Sequence, residues 1–517
     1  MTLTTPHNVT GSLAWATFIA CLSTLQFGFH LAELNAPEAI LSCQFHKRGP
    51  YESYEETIWS SFGRDQCLKM SSGGIATITT MFTVGGFVSS IILGSSKIST
   101  AFGRKKVSII NSLLFCLGSF SMAMSNKLWM FNLGRFVTGL AGGSSLVVSP
   151  ILINELTPIN HRGFLGSILQ LAVAIGILMA QIVGYFWSND QEWRSIFLFA
   201  SGIGLFQFVI LFTTVESPKW LIINKGEVKK AKSILRNLRT DHDAANHEIN
   251  HWRRLSIHAD VSECKAGETS ALLDGPVSES SSSSTSGFIP LTRTVSRRGS
   301  IDPSHITIGD FLSIKKYAPE RWAIFGLMSG QQLCGINAIT FYGVRVLRDI
   351  VPEGTNVLAI TCSLSICNAL SALCISPFVD TLGRKKLLMY SVSIMGLSAV
   401  GISIGLTHNI DYLAAGGCFV FNIGYSIGLA PIPFLMISEL ASHEALSAAQ
   451  SCGTALNWAS NITIAFFFPI LSDSIGGYIF YVFFFICAFY VTFYAKFLPE
   501  TLGYSSSEEV WRDFRKE

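Results

Sequence analysis

The tetrapeptide Gly103-Arg104-Lys105-Lys106 recurs unchanged as Gly383-Arg384-Lys385-Lys386, 280 residues further along the chain. Two more pairs of tripeptides keep nearly the same spacing of 284 residues: Asn154-Glu155-Leu156 with Ser438-Glu439-Leu440, and Glu216-Ser217-Pro218 with Glu500-Thr501-Leu502. Three nearly constant offsets indicate that the chain contains a duplicated unit.

Each copy of the unit consists of apolar blocks. The chain is 49% hydrophobic and only 14% charged, whereas soluble proteins are about one quarter charged. A helix of about 20 apolar residues crosses the hydrocarbon core of a bilayer. We therefore predict an all-α membrane protein with twelve transmembrane helices in two pseudo-symmetric six-helix bundles. We number the predicted helices as spans 1 to 12, near 12–32, 73–95, 107–126, 128–150, 163–187, 194–214, 321–348, 355–379, 387–407, 411–437, 447–471 and 475–497.

Positive charge predicts the orientation of these spans. Arg104, Arg162 and Arg384 follow spans 2, 4 and 8, and basic loops stay in the cytosol. Both termini are then cytosolic. The predicted domains are an N-terminal tail (1–11), a first bundle (12–214), a cytosolic linker with short helices and a serine-rich disordered segment (215–320), a second bundle (321–497) and a C-terminal tail (498–517).

Composition also excludes several classes of function. The net charge of +3 and the lack of a basic run interleaved with aromatics argue against nucleic acid. No nucleophile with a base, metal-ligand cluster or phosphate-cradling loop stands at a credible position, so we expect no enzyme, cofactor or metal. Cys43 and Cys67 share one polar loop and would form a disulfide if that loop faces an oxidising compartment.

The repeated basic turns have two readings. They are topological anchors, or they form a cytosolic latch in which arginines pair with acids when the inner gate is shut, and matching positions in both halves favour the latch. The predicted latch consists of Arg104, Glu155, Arg162, Glu216, Arg384, Glu439 and Glu500.

Span 7 carries three amides, Gln331, Gln332 and Asn337, near one helix face. Amide side chains offer donors and acceptors to sugar hydroxyls without the cost of burying a charge. The alternative is that they tie helices together in lipid. Three amides in seven residues favour a binding site.

Motifs along the whole chain outside the linker resemble the sugar porter family of the major facilitator superfamily, above all the facilitative glucose transporters and their fungal vacuolar relatives. The motifs are Leu25-Gln26-Phe27-Gly28, Asn35-Ala36-Pro37, Gly134-Arg135-Phe136, Glu155 with Arg162-Gly163, Glu216-Ser217-Pro218-Lys219-Trp220-Leu221, Gln331-Gln332-Leu333-Cys334-Gly335-Ile336-Asn337 and Pro499-Glu500-Thr501-Leu502-Gly503. The resemblance implies the major facilitator fold and a central sugar pocket.

By the same resemblance, further residues are assigned to that pocket. The implied sugar-contacting amides are Gln170, Asn368 and Asn461, and Tyr342 matches an outer gate residue. Asn457 and Trp458 lie one turn from Asn461 and are predicted to line the same pocket. Phe434 stands where the family typically has Trp, and Ser426 stands where it has Glu. Phe keeps a ring for stacking but lacks the indole N–H, so pocket specificity is expected to differ.

His30 in span 1 stands where proton-coupled members carry Asp and facilitative members Asn, and Arg135 in span 4 matches the basic partner. An ionisable group inside the membrane is a candidate for proton coupling, and histidine titrates near an acidic luminal pH. The alternative is a neutral imidazole that only hydrogen-bonds, because Arg135 nearby disfavours a second positive charge.

The linker carries two short signals. Glu268, Leu272 and Leu273 fit an acidic dileucine string that an adaptor complex could read, typical of routing to vacuoles or lysosomes. Ser300 follows Arg297-Arg298-Gly299 and fits a kinase site.

The sequence thus predicts a hexose transporter of an intracellular, vacuolar membrane that works by alternating access, as a uniporter or coupled to protons. Internal duplication around a central binding site is typical of such transporters. A sugar sensor without flux, or a porter for another polyol or small solute, are the alternatives.

Overall fold

The computed structural model describes residues 10–94, 102–158, 162–239, 245–246, 248–250, 252–253, 306–348, 356–375, 382–442, 444–504 and 507–515. Within these ranges the chain forms helices and no strands. The predicted all-helical membrane fold is confirmed.

The first half contains spans 1 to 6 as single helices: Gly11–Ala32, Ser72–Gly94, Arg104–Ala123, Leu128–Leu156, Arg162–Trp187 and Trp193–Ile210. In the second half, span 7 is Ala318–Leu333 with Ile336–Arg348, span 8 Val357–Ile375, span 9 Arg384–Thr407, span 10 Asp411–Ile427 with Ile432–Leu440, span 11 Leu446–Ile475 and span 12 Ile479–Phe497. Short helices at Glu38–Leu41, Ile58–Ser61, Pro218–Lys225, Val228–Leu238, Ile308–Ser313 and Ser507–Phe514 lie outside the spans.

Ten helical stretches in the described residues are long and apolar enough to cross a membrane. Spans 11 and 12 count as one stretch, Ala448–Phe497, because only a short 3₁₀ turn separates them. Span 7 does not count, because a break divides it into two shorter helices. These two points explain why ten stretches are counted although twelve spans were predicted.

Span 7 was predicted as one helix over 321–348 and is instead interrupted between Leu333 and Ile336. Gly335 there has φ +99°, a left-handed conformation that favours glycine. A Cβ at this position would lie 2.7 Å from the ring of Phe483. Backbone geometry and a close neighbour together fix the break.

Two other spans also differ from the prediction, one in continuity and one in length. Span 10 is broken between Ile427 and Ile432, since Pro431 has no N–H to continue the first helix. Span 4 runs six residues beyond the predicted end, through Pro150 to Leu156. The extension carries Glu155 to its ion-pair partner on span 3.

The bundle has two chemically different ends. The basic end is where spans 3 and 9 begin, at Arg104 and Arg384. The disulfide end is the opposite one, where Cys43 and Cys67 are joined in a disulfide. Arg64, from the same loop as the disulfide, donates to Met124 O at the far end of span 3, at 2.7 Å.

The two halves pack against each other through spans 2 and 11 and through spans 5 and 8. At the disulfide end, Asn35 Oδ1 accepts a hydrogen bond from Val344 N at 2.9 Å, which joins the end of span 1 to span 7. Arg345 also lies 3.5 Å from Glu38 Oε1 across the same interface. The halves therefore meet at the disulfide end.

Candidate functional site

The amides of span 7 form a cluster with Asn457 of span 11. Gln332 Nε2 donates to Asn457 Oδ1 at 3.0 Å, and Asn457 Nδ2 donates to Gln331 Oε1 at 2.7 Å. Asn337 Nδ2 donates to Gln332 Oε1. Gln331 Nε2 reaches the break in span 10 and donates to Leu429 O at 2.8 Å. We call Gln331, Gln332, Asn337 and Asn457 the amide cluster.

All four members of the amide cluster are buried and uncharged. Their mutual bonds connect spans 7, 10 and 11, so in this conformation they also hold helices together. A bond between two neutral amides contributes only about 1 kcal/mol net. Hydroxyl groups could therefore replace these bonds at little cost, and the binding and helix-tying alternatives are compatible.

Next to the amide cluster, two buried groups on span 11 have no protein partner among the described residues. They are Asn461 Oδ1 and Trp458 Nε1. Buried polar atoms are nearly always hydrogen-bonded in native proteins. One hydrogen-bond acceptor and one donor are thus available to a polar ligand.

Other buried amide oxygens also lack a partner among the described residues, and two of them lie on spans 5 and 10. They are Gln181 Oε1 on span 5 and Asn422 Oδ1 on span 10. The signal was available, since both are amides inside apolar blocks. Neither residue lies within one of the motifs quoted above.

The ring of Trp458 lies between the halves. It meets Phe27 of span 1 and Phe82 of span 2 edge to face, with ring centroids 6.0 and 6.3 Å away. A Cβ on Gly86 would lie 2.6 Å from this ring, so glycine is needed there. The predicted pocket residue Trp458 thus also contacts the first half.

The remaining predicted pocket residues occupy different surroundings. Gln170 is half-buried and makes no side-chain hydrogen bond within the described part of the chain. Asn368 Oδ1 accepts from Ser426 Oγ at 2.7 Å, which joins spans 8 and 10. Phe434 is half-buried and packs against the apolar core of the second half.

Tyr342, the predicted outer gate, is fully buried in the second helix of span 7. Its hydroxyl donates to Ala465 O of span 11 at 2.7 Å, and its ring stacks on Phe468 with centroids 5.5 Å apart. The backbone of Tyr342 is non-helical, at φ −125° and ψ 16°. Tyr342 thus ties a local kink of span 7 to span 11.

In the first half, His30 and Arg135 are both completely buried but do not pair side chain to side chain. Glu33 lies between them: His30 Nδ1 is 2.9 Å from Glu33 Oε2, and Arg135 Nη1 donates to Glu33 Oε1 at 2.7 Å. Arg135 also donates to the backbone oxygens of His30 and Ile78. We call His30, Glu33 and Arg135 the buried triad.

Glu33 changes the electrostatic surroundings of His30. Arg135 by itself disfavours a second positive charge on His30, but the carboxylate of Glu33 lies between the two and offsets this repulsion. The ring of His30 stacks on Phe115 with centroids 5.0 Å apart, and its other nitrogen lies 3.5 Å from Ser119 Oγ. Glu33 was missed although its spacing of three residues from His30 predicts contact on a helix.

At the basic end, the predicted arginine–acid pairs occur within each half. Arg104 binds Glu155 through two hydrogen bonds, of 3.0 and 3.1 Å, and Arg384 binds Glu439 at 3.2 Å. Glu216 and Glu500 accept instead from backbone N–H groups at the starts of spans 3 and 9. A carboxylate is favourable at the N-terminus of a helix, where unpaired N–H groups concentrate.

Several predicted residues lie outside what the structure describes. Arg162 begins span 5, but its side chain is not among those described. The linker residues Glu268, Leu272, Leu273 and Ser300 lie outside the described residues.

Comparisons with known proteins agree with this architecture. The model of the Sugar (and other) transporter family matches residues 16–273 and 290–514. The chain is 32% identical over 508 residues to a Saccharomyces cerevisiae protein named a probable metabolite transport protein, covering 98% of this chain and 96% of that protein. It is 30% identical over 497 residues to vacuolar protein sorting-associated protein 73 of the same yeast, covering 96% and 95%.

More distant similarities extend the pattern. The chain is 29% identical over 506 residues to human solute carrier family 2, facilitated glucose transporter member 5, covering 95% of this chain and 89% of that one. Its fold superposes on the xylose transporter of E. coli in an inward open conformation with a TM-score of 0.71 at 19% identity, covering 97% and 99%.

Proposed function

The chain belongs to the Sugar (and other) transporter family, the sugar porters of the major facilitator superfamily, and we propose that it carries a hexose by alternating access. It is an integral multi-pass membrane protein and not an enzyme. The proposal concerns the substrate, the mechanism and the membrane.

The amide cluster carries this proposal. It lies where the broken span 7 meets spans 10 and 11, beside the partnerless polar atoms of Asn461 and Trp458. A hexose presents several hydroxyls, each a donor and an acceptor, and the ring of Trp458, next to Asn457 in the chain, offers apolar surface to its carbon face. Neutral amides suit such a ligand better than charges do, because they cost less to bury.

Alternating access is supported by where the two halves are joined. A hydrogen bond and an ion pair cross the interface at the disulfide end, whereas the Arg104–Glu155 and Arg384–Glu439 pairs lie within single halves. Spans 7 and 10 are both broken, so parts of each can tilt separately. Such elements allow a central site to open toward one end at a time.

The binding site is tested by replacing Asn461. Asn461→Ala breaks no side-chain hydrogen bond of the described residues, so the variant should fold normally yet bind labelled D-glucose about tenfold more weakly. Gln331→Ala should abolish binding, as it removes a central member of the cluster. Unchanged affinity in both variants would refute the assignment.

We also propose the buried triad as the coupling site. A carboxylate between an imidazole and a guanidinium can hold a proton or pass it to a neighbouring group. The mode of transport is then proton-coupled; if the triad only stabilises span 1, the protein is a uniporter.

Uptake of labelled glucose into proteoliposomes distinguishes these modes. A proton gradient should drive accumulation in the wild type, and His30→Asn and Glu33→Gln should lose this stimulation while retaining equilibrating uptake. Equilibrating uptake that ignores the gradient in all three proteins means a facilitator. Sugar binding without any uptake would instead favour a sensor.

A porter for another polyol is the second candidate. Asn368 is occupied by its bond to Ser426 at 2.7 Å, and Phe434 lacks the polar handle of the family's usual Trp. The pocket would then offer fewer donors on the side of span 10. Competition of labelled glucose uptake by a series of hexoses and polyols measures the preference.

We propose a vacuolar membrane, with the basic end in the cytosol. The basic turns favour this orientation by the positive-inside rule, and the disulfide favours an oxidising lumen at the other end. One relative is named a vacuolar protein sorting-associated protein. The dileucine string in the linker would supply the sorting signal.

Sorting is tested by replacing Leu272 and Leu273 with Ala in a fluorescently tagged chain. The tagged variant should appear at the cell surface or in another membrane, because an adaptor complex can no longer read the string. Ser300→Ala in the same linker is the matched control and should stay in place. Unaltered placement of the dileucine variant would remove the sorting proposal.

A further inference from the structure

A cavity of about 350 Å³ lies between the halves at the disulfide end, separate from the amide cluster. The first half contributes Asn35, Glu38 and Gln44 to its wall, and the second half contributes Arg345 and Ser472. This volume is within the range of about 300–1,000 Å³ that is common for small-molecule sites. The cavity is large enough for a small solute.

One ion pair of the wall crosses between the halves, and a second lies within the second half. Arg345 of span 7 lies 3.5 Å from Glu38 of the first half and binds Asp473 of span 11 through its other guanidinium nitrogen. The side chain of Glu38 is only 8% exposed. One arginine thus connects both halves around the cavity.

Several polar groups of the wall are unused. Arg345 Nη1 is buried without a hydrogen-bond partner, despite its ion pair with Glu38. Within the described residues, the side-chain amide of Gln44 and the Oγ of Ser472 also make no hydrogen bond. Donors and acceptors therefore converge on one space from both halves.

Charge and shape restrict what this space can hold. The wall contains two acids, Glu38 and Asp473, and two arginines, Arg345 and Arg348, so an ionic ligand would meet groups of its own charge. Charged donors and acceptors bind neutral hydroxyls strongly. Phe45 and Phe480 add aromatic surface for an apolar face.

We propose that this cavity is a second binding site for a neutral monosaccharide, at the mouth of the path between the halves. The site deepens the proposed sugar transport and rests on it. A sugar would bind here before entering, or after leaving, the central site. Because both halves form the wall, opening of the disulfide end would separate the wall and release the sugar.

The experiment is equilibrium binding of labelled D-glucose to the purified full-length protein. The double variant Gln44→Ala, Ser472→Ala removes two polar side chains of the wall. Neither makes a hydrogen bond in the unliganded protein, so folding should be preserved. We expect two classes of site in the wild type, with one weakened about tenfold in the double variant. Asn461→Ala should weaken only the other class.

Gln66→Ala is the matched control, because Gln66 is exposed in the same loop as Gln44 and does not line the cavity. Its binding curve should equal that of the wild type. A single class of site that is weakened by Asn461→Ala and unaffected by the double variant would overturn the cavity proposal and leave sugar transport standing.

Two other results are informative. No glucose binding by any protein would overturn both proposals. Displacement of glucose from the second class by inorganic phosphate would overturn the choice of a neutral ligand.

Discussion

The two halves share one framework but bury different chemistry at equivalent places. In the first half, spans 1 and 4 are continuous helices, and they hold the charged buried triad. In the second half, the corresponding spans 7 and 10 are both broken, and the neutral amide cluster lies at the breaks. Charge accompanies continuous helices, and neutral amides accompany interrupted ones.

The difference has a physical reason. A buried ion pair offsets its desolvation cost only while its geometry is kept, so its helices must stay fixed relative to each other. Neutral amides can exchange partners at a cost of about 1 kcal/mol per bond. We infer that the first half is the more rigid platform, and that the second half supplies sugar recognition and most local movement.

Removing a charge from the triad should have the largest effect. Arg135→Met leaves Glu33 buried beside His30 alone, and breaking such a pair costs about 3–5 kcal/mol. Thermal melting of the purified protein in detergent measures the loss. The double variant Arg135→Met, Glu33→Gln should recover much of it, since no unpaired carboxylate remains. Equal melting of the single variant and the wild type would contradict a rigid charged platform.

Glu38, where the two halves meet, should make their contact depend on pH. Burial raises the pKa of Glu38 from its usual 4.5 to about 7, while Arg345 and Arg348 lower it and Asp473 raises it. The closed disulfide end therefore binds a proton more tightly than an open one. The equilibrium constant for closure is largest in acid. It falls as the pH rises from 4.5 through about 7, by up to about 300-fold.

Energy transfer between dyes at Ile58→Cys and Tyr478→Cys, in a background with the exposed Cys374 and the linker residue Cys264 replaced by Ser, follows this opening. Transfer should fall as the pH is raised. Glu38→Gln cannot ionise and should show no such change. A pH response retained in that variant would assign it to another group.

The neutral cluster should be less sensitive than the triad. Asn457→Ala leaves Gln331 and Gln332 without a shared partner, and we expect a loss of about 2 kcal/mol in the free energy of unfolding. Asn461→Ala, one turn further along the same helix, removes no side-chain bond and should lose much less. Equal losses in these two variants would mean that the cluster bonds contribute nothing.

The smallest expected effect compares the basic turns. Between the described residues, two hydrogen bonds join Arg104 to Glu155 and one joins Arg384 to Glu439, which also accepts from Thr501. Arg104→Ala should therefore cost about 1 kcal/mol and Arg384→Ala about 0.5 kcal/mol, as both pairs are partly exposed. Melting of both variants side by side tests this order. The reverse order would show that the two turns are not held as their contacts indicate.

Much of the framework could be read from the chain. Apolar blocks of membrane length and a tetrapeptide repeated at an offset of 280 predict twelve spans in two halves, because bilayer thickness limits helix length. The breaks were not predictable in this way. In the sequence, Gly335 does not differ from other glycines of the apolar blocks. Only the structure shows that the ring of Phe483 lies against it.

For the candidate site, too, some residues could be identified from the sequence and others only from the structure. The sequence by itself determined the amides of span 7 and the ionisable His30 and Arg135, because polar residues inside a membrane are costly and therefore conspicuous. Only the tertiary structure decided that Glu33 lies between those two, and that Asn457 completes the amide cluster. Partners of buried polar groups come from helices distant in the chain, and packing alone selects which of them meet.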